Sequence, residues 1–140
     1  MDVILDTNII VSLFLTNNPT TTLIKQALLD ESFQLVTSEP LLAEYQEVLF
    51  RPELERLMPN PLEVPIFLRK VLRAGRLVMA VEPYPKAPDP GDAFLLAMLR
   101  DNEIDYLVIG DKALLALEKY AGTPILSMRK FADSLTTQER

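Results

Sequence analysis

The sequence predicts an α/β fold: a parallel sheet covered by helices on both faces. Three observations carry that expectation. Short apolar runs such as Val3-Ile4-Leu5 and Tyr106-Leu107-Val108-Ile109 recur without polar alternation, as strands buried on both faces require. Between them lie segments with apolar residues at helical spacing, the crossovers that parallel strands need. Apolar residues make up 49% of the 140, enough to fill both faces of a sheet in one domain over residues 1–140.

The first strand, Val3 to Leu5, stops at the polar triplet Asp6-Thr7-Asn8, and apolar residues resume at helical spacing over Ile9 to Leu15. Thr16-Asn17-Asn18-Pro19 ends that helix. The threonines Thr20 to Thr22 are expected to cap a second helix with Leu23, Ile24, Ala27 and Leu28 on its apolar face. Phe33 to Thr37 reads as the second strand. Ser38 caps the next helix, Pro40 sits in its first turn where a missing N–H costs nothing, and Leu41, Tyr45, Val48 and Leu49 form its stripe. Pro52, Pro59, Pro61 and Pro65 predict a broken helix and loop over Phe50 to Pro65. Ile66 to Arg73 then reads as helix, Leu77 to Val81 as the third strand, and Pro83 to Pro90 as an extended loop. Phe94, Leu95, Ala97 and Met98 mark a helix opened by Asp92. Tyr106 to Ile109 is the fourth strand, and Gly110-Asp111 leads into a helix over Lys112 to Tyr120. Gly122 and Pro124 introduce a fifth strand, Pro124 to Ser127, before a last helix near Lys130 to Leu135.

The chain has no cysteine and no histidine. That excludes disulfides, thiol chemistry, Cys/His zinc sites, Ser-His-Asp triads and a histidine general base. Hydrolytic chemistry would fall to carboxylates with a hard metal ion. Met1 to Leu15 is apolar but lacks a basic leading region and carries Asp2, Asp6 and Asn8, so it does not read as a signal peptide. No run approaches the roughly 18 apolar residues that span a membrane. The expected setting is the cytoplasm, with no membrane partner. The net charge of −6 argues against a nonspecific nucleic-acid coat and leaves room only for a local basic patch. Arg69, Lys70, Arg73 and Arg76 form one such cluster, which reads first as a solvated helix face and second as a site for phosphates or an acidic partner.

Four acids share one kind of context. Asp6, Asp92 and Asp111 stand where a strand or loop hands over to a helix, and ligands of open α/β sheets bind at the carboxyl ends of strands. Glu44, at about 100° per residue, lies about 60° from Leu41 and about 100° from Tyr45, so it flanks the buried stripe. Ends of parallel strands share one edge, so Asp6 and Asp111 can approach each other, and Asp92 can reach the same place. Two carboxylates about 4 Å apart repel by about 4 kcal/mol at an effective dielectric of 20. Either their pKa values rise or a cation binds, and an all-oxygen donor set favours Mg²⁺ or Mn²⁺. Singly, each aspartate also fits a helix cap; convergence separates the two readings.

Four stretches in order resemble the PIN-domain family of metal-dependent nucleases, within it the bacterial toxin-like branch of toxin–antitoxin pairs. They are Ile4-Leu5-Asp6-Thr7-Asn8, Thr37 to Tyr45 with Val48-Leu49 and Arg51-Pro52, Asp89-Pro90-Gly91-Asp92-Ala93-Phe94, and Asp105 to Lys112; Pro124 to Ser127 with Phe131 resembles the family's last strand and helix. The resemblance implies a three-layer PIN-like fold with a five-stranded parallel sheet flanked by helices. It also implies one or two Mg²⁺ or Mn²⁺ ions and hydrolysis of single-stranded RNA to 5′-phosphate and 3′-hydroxyl ends. By the same resemblance Asp6, Glu44, Asp92 and Asp111 are catalytic and metal-ligating, Thr7 or Asn8 orients the first carboxylate or a water, and a cognate antitoxin protein covers the pocket. Lys112, with Arg73 from the basic cluster, is the candidate contact for RNA phosphates. Dimers are common among relatives, and the proline-rich middle is where apolar surface for one is expected. Two departures stand out: Ile109 where many relatives carry a hydroxyl before Gly-Asp, and fewer acids in the loop before Asp92. They leave a non-catalytic module that binds protein or RNA as the alternative. A phospho-acceptor receiver domain fits less well, since acids here end the first and fourth strands and a helix supplies Glu44.

Overall fold

The structure, a computed structural model, describes residues 1–138. Its strands are β1 (Asp2–Leu5), β2 (Gln34–Thr37), β3 (Arg76–Leu77), β4 (Tyr106–Val108), β5 (Lys119–Tyr120) and β6 (Thr123–Leu126). They form one sheet in the order β3-β2-β1-β4-β6-β5, parallel except for the antiparallel pairing of β5 with β6. The helices are α1 (Thr7–Leu15), α2 (Pro19–Leu29), α3 (Glu39–Leu49), α4 (Pro52–Glu55), α5 (Glu63–Ala74), α6 (Ala93–Asp101), α7 (Lys112–Leu115) and α8 (Met128–Gln138). Val3, Ile4 and Leu5 are all fully buried, so the central strand is covered on both faces, as its unbroken apolar run requires.

The α/β expectation therefore holds, but the sheet is mixed and has six strands among the described residues, where five parallel strands were expected. The extra strand comes out of the segment read as a helix over Lys112 to Tyr120. That helix stops at Leu115, and Glu118 (φ 61), Ala121 (φ 51) and Gly122 (φ 86) turn left-handed. Positive φ at both Ala121 and Gly122 makes the two-residue loop whose twist suits a hairpin, so Lys119-Tyr120 folds back on Thr123-Pro124. The third strand is also shorter than Leu77 to Val81. Beyond Leu77 only the Val78 N–H still reaches Thr37 O on β2, while the Met79 and Val81 carbonyls accept from Asn102 and Arg100. Those bonds draw the chain off the sheet.

At α2 the cap is Asn18 rather than the threonine run: its side chain accepts from the Thr21 N–H, Thr21 answers, and Pro19 fills the first turn. At α3 the expectation is met. Ser38 accepts from the Leu41 N–H, and its hydroxyl also contacts Met98 Sδ on α6, tying the helix start to the opposite layer. Aromatic contacts Phe14–Phe67 and Tyr45–Phe67 hold α1, α3 and α5 together. Phe131, fully buried, joins α8 to the sheet through Phe33 and Tyr106. No helix among the described residues is long and apolar enough to cross a membrane.

Candidate metal centre

At the carboxyl edge of the central strands, the Asp6 N–H donates to Val108 O, extending the pairing of β1 with β4 by one residue. Its carbonyl then accepts from Ile9 and Ile10, so Asp6 closes the strand and opens α1. From α3 the buried Tyr45 hydroxyl donates to the Leu5 carbonyl. This fixes the backbone beside Asp6 from a second direction. Asp6 has the extended backbone of a cap, yet its side chain makes no capping hydrogen bond.

Burial pushes the Asp6 carboxyl up to about 6; the amides of Thr7 and Asn8 oppose this, while the charges of Glu44 and Asp111 add to it. Asp92 opens α6, likewise without a side-chain cap bond. Its carboxyl is pushed up to about 7, first by burial, then by the Asp6 charge, a hydrogen bond with Asp111 and the charge of Asp89. Tyr45 is held well above the ordinary phenol range by burial and by the same two acids, Asp6 and Glu44. Glu44 is half-buried between the fully buried Leu41 and Tyr45, at the flank position its helical angle specifies. Asp111 does cap a helix, accepting from the Ala113 N–H at 2.8 Å with one oxygen. Asp111 also hydrogen-bonds Asp92, so it caps α7 and faces the acidic cluster at once.

Asp6, Glu44, Asp92 and Asp111 therefore lie near enough for their charges to act on one another, Glu44 and Asp111 on Asp6 and Asp6 on Asp92, although Asp6 and Glu44 stand outside the tightest group of acids. A fifth acid, absent from the sequence candidates, joins them: Asp89 accepts from the Gly91 N–H at 2.9 Å, and single oxygens of Asp89, Asp92 and Asp111 lie within 4.8 Å of one another. Its signal in the sequence was the spacing Asp89-Pro90-Gly91-Asp92, in which the turn brings both acids to one side. Among the described residues none of the five forms an ion pair. Thr7 Oγ1, beside Asp6, is buried without a hydrogen-bond partner. Neighbouring carboxylates, of which Asp6 and Asp92 have raised pKa values, with no ion-pair partner, no nitrogen or sulfur donor and an orphaned hydroxyl, suit a hard divalent cation such as Mg²⁺ or Mn²⁺.

The other candidates divide. Asn8 and Lys112 are exposed on the same edge as the carboxylates, next to Asp6 and Asp111. Arg73 is not brought there. It lies in the last turn of α5 beside Lys70 and Glu31, and Glu31 precedes β2, so Arg73 belongs to the opposite edge of the sheet. Its neighbours have other work: Lys70 donates to the Leu29 carbonyl and Arg76 pairs with Asp2 at 2.7 Å. Phe94 is buried, as its place in an apolar stripe indicated, and Ile109 lies fully in the core.

The family model of the PIN domain matches residues 2–113, which run from β1 into α7 and include all five acids. The chain belongs to the PIN-domain family. PIN domains are typically metal-dependent nucleases, and the acidic cluster found here is a place where such a metal fits. No curated protein matches the chain.

Proposed function

We propose that this protein, a single domain over residues 1–140, is a Mg²⁺- or Mn²⁺-dependent endoribonuclease that hydrolyses single-stranded RNA, and that it is the toxin of a toxin–antitoxin pair acting in the cytoplasm. The observation that carries the reading is the trio Asp89, Asp92 and Asp111, single carboxylate oxygens of which lie within 4.8 Å of one another, with the charge of the buried Asp6 acting on Asp92 as well. Repulsion of this kind is relieved by a cation, and membership of the PIN family supports what the cation is for.

In this reading Asp6, Asp92 and Asp111 hold the ion, with Glu44 and Asp89 acting directly or through water. A bound divalent ion supplies charge neutralisation at the scissile phosphate and lowers the pKa of water. The chain supplies the rest. The backbone N–H groups of Thr7 and Asn8 steady the Asp6 carboxylate, the Thr7 hydroxyl, which has no partner of its own, would orient a water, and the Lys112 ammonium on the exposed rim meets an RNA phosphate. Tyr45 keeps the end of β1 in register through the Leu5 carbonyl. Cleavage leaves 5′-phosphate and 3′-hydroxyl ends. A cognate antitoxin would cover the acidic pocket, and the exposed Leu57, Leu62 and Ile66 of the proline-rich middle give a second copy an apolar surface.

The test is calorimetric titration of Mn²⁺ into wild type and Asp6→Asn, beside cleavage of a labelled single-stranded RNA pool. Metal uptake and metal-dependent cuts, both lost in the variant, are expected. Uptake without cutting would favour the non-catalytic binding module, for which the buried Ile109 in place of a hydroxyl is the supporting observation.

A further inference from the structure

The Arg100 guanidinium lies at the C-terminal end of α6, the far end of that helix from Asp92. Its Nη1 donates to the Pro83 carbonyl at 2.8 Å and its Nη2 to the Val81 carbonyl at 2.6 Å, while Nε and Nη2 also grip the Asp101 carboxylate at 2.8 and 2.7 Å. Two residues on, the Asn102 amide donates to the Met79 carbonyl at 3.2 Å. Three alternate carbonyls of the segment leaving β3 are thus held by the last turn of α6 and the residue that caps it. A half-exposed ion pair between neighbours such as Arg100 and Asp101 contributes little by itself. The bonds to Val81 and Pro83 give the fork its geometric purpose.

From that anchor the chain must return along α6 to reach Asp92. The nine residues of α6 rise about 13 Å, and the seven from Pro83 to Asp89 reach about 20 Å if extended, so the segment spans the helix with about a third of its reach to spare and its order must come from stiffness rather than tautness. Pro83, Pro85, Pro88 and Pro90 fix φ at four positions, and Ala87 packs on the core midway. Proline-rich chain is stiff over several residues, so pinning one end restricts the other. That other end is the turn in which Asp89 accepts from Gly91 and faces Asp92 and Asp111.

We infer that Arg100 is a positioning residue for the acidic cluster: it pins a proline-stiffened strap at the far end of α6, and the strap holds Asp89 against Asp92 and Asp111. The inference rests on the proposed metal-binding reading of the cluster. Because it acts through stiffness, breaking the strap midway should mimic releasing its anchor.

The experiment compares wild type, Arg100→Ala and the double variant Pro85→Gly/Pro88→Gly, with circular dichroism to show that each is folded. Two quantities are read: Mn²⁺ affinity by calorimetry and hydrogen exchange of the Gly91 amide. Both variants should weaken Mn²⁺ binding by about tenfold, a size typical for groups that orient metal ligands, and the combined variant should be no worse than either. Gly91 exchange should quicken in both, with β1 and β4 amides unchanged. Unaltered Mn²⁺ affinity in folded Arg100→Ala, or a loss that adds fully to that of the proline variant, would overturn the inference. If wild type takes up no Mn²⁺, the metal reading fails while the exchange still decides the strap: faster Gly91 exchange in Arg100→Ala upholds it, and an unchanged rate overturns it.

Discussion

Replacing Asp6 by asparagine should stabilise the metal-free protein at about pH 8, an unusual outcome for a polar substitution at a site 6% exposed. The Asp6 carboxyl is raised from 3.8 to about 6, so the folded protein binds this proton more tightly than the unfolded chain does. Its contribution to stability is complete below about pH 4 and is lost as pH rises through about 6. A rise of that size makes the ionised carboxylate cost the folded state about 3 kcal/mol. Asparagine keeps a polar group in the same place but no charge, so a net gain of about 1–2 kcal/mol is expected, or several degrees in Tm. The assay is thermal unfolding of both proteins in chelator across about pH 4.5 to 8. Wild type should lose stability over that range, and Asp6→Asn should lose less, with the two curves meeting at the acid end. Saturating Mn²⁺ should reverse the order at about pH 8, since an ion at a hundred times its Kd adds about 2.7 kcal/mol to wild type alone. Parallel curves, or a variant less stable than wild type at every pH, would refute the reasoning and make Asp6 a structural carboxylate.

Glu44→Gln should weaken Mn²⁺ binding and RNA cleavage less than Asp6→Asn does, because Glu44 is half-buried at the flank of α3; an equal loss in calorimetry and cleavage would make Glu44 a direct ligand. Tyr45→Phe removes the hydrogen bond to the Leu5 carbonyl and should cost about 1 kcal/mol in denaturant unfolding, with a measurable fall in Mn²⁺ affinity because the Asp6 backbone loses that support. Gly75→Ala would put a Cβ 2.5 Å from the Val71 carbonyl oxygen and 3.3 Å from that of Leu35, both backbone atoms. It should destabilise by about 1–3 kcal/mol in the same assay, since α5 must move off β2, while Mn²⁺ affinity at the opposite sheet edge stays unchanged.

Much of the fold was legible because local rules and tertiary structure agree. The run Val3 to Leu5 has no polar residue to present to solvent, so it specifies a strand buried on both faces, and it is the central one. Ser38 and Pro40 mark the start of α3 by chemistry confined to one turn. Failures came where distant partners decide. The end of α7 depends on left-handed residues stabilised by a hairpin with β6, and the end of β3 on Arg100 and Asn102, which lie 19 and 23 residues along the chain from the carbonyls of Val81 and Met79 that they hold. The sequence does not single out Asn18 as the cap because Asn17, Asn18 and the threonines compete for one role, and only Thr21 completes a reciprocal pair.

The site divides along the same line. By itself the sequence determined the chemistry: without histidine or cysteine, with acids at strand-to-helix junctions, any metal here has oxygen ligands. Only the tertiary structure decided which acids meet. Asp6 and Asp92 look like helix caps in the sequence, yet neither side chain makes the capping hydrogen bond; Asp111 caps α7 and also hydrogen-bonds Asp92; Asp89 enters through a turn; and Arg73 is carried to the opposite edge by the direction of α5. The reason is range. Residue type and helical angle are set within a few residues, whereas repulsion between carboxylates acts over a few ångströms between elements that the chain brings together only by folding.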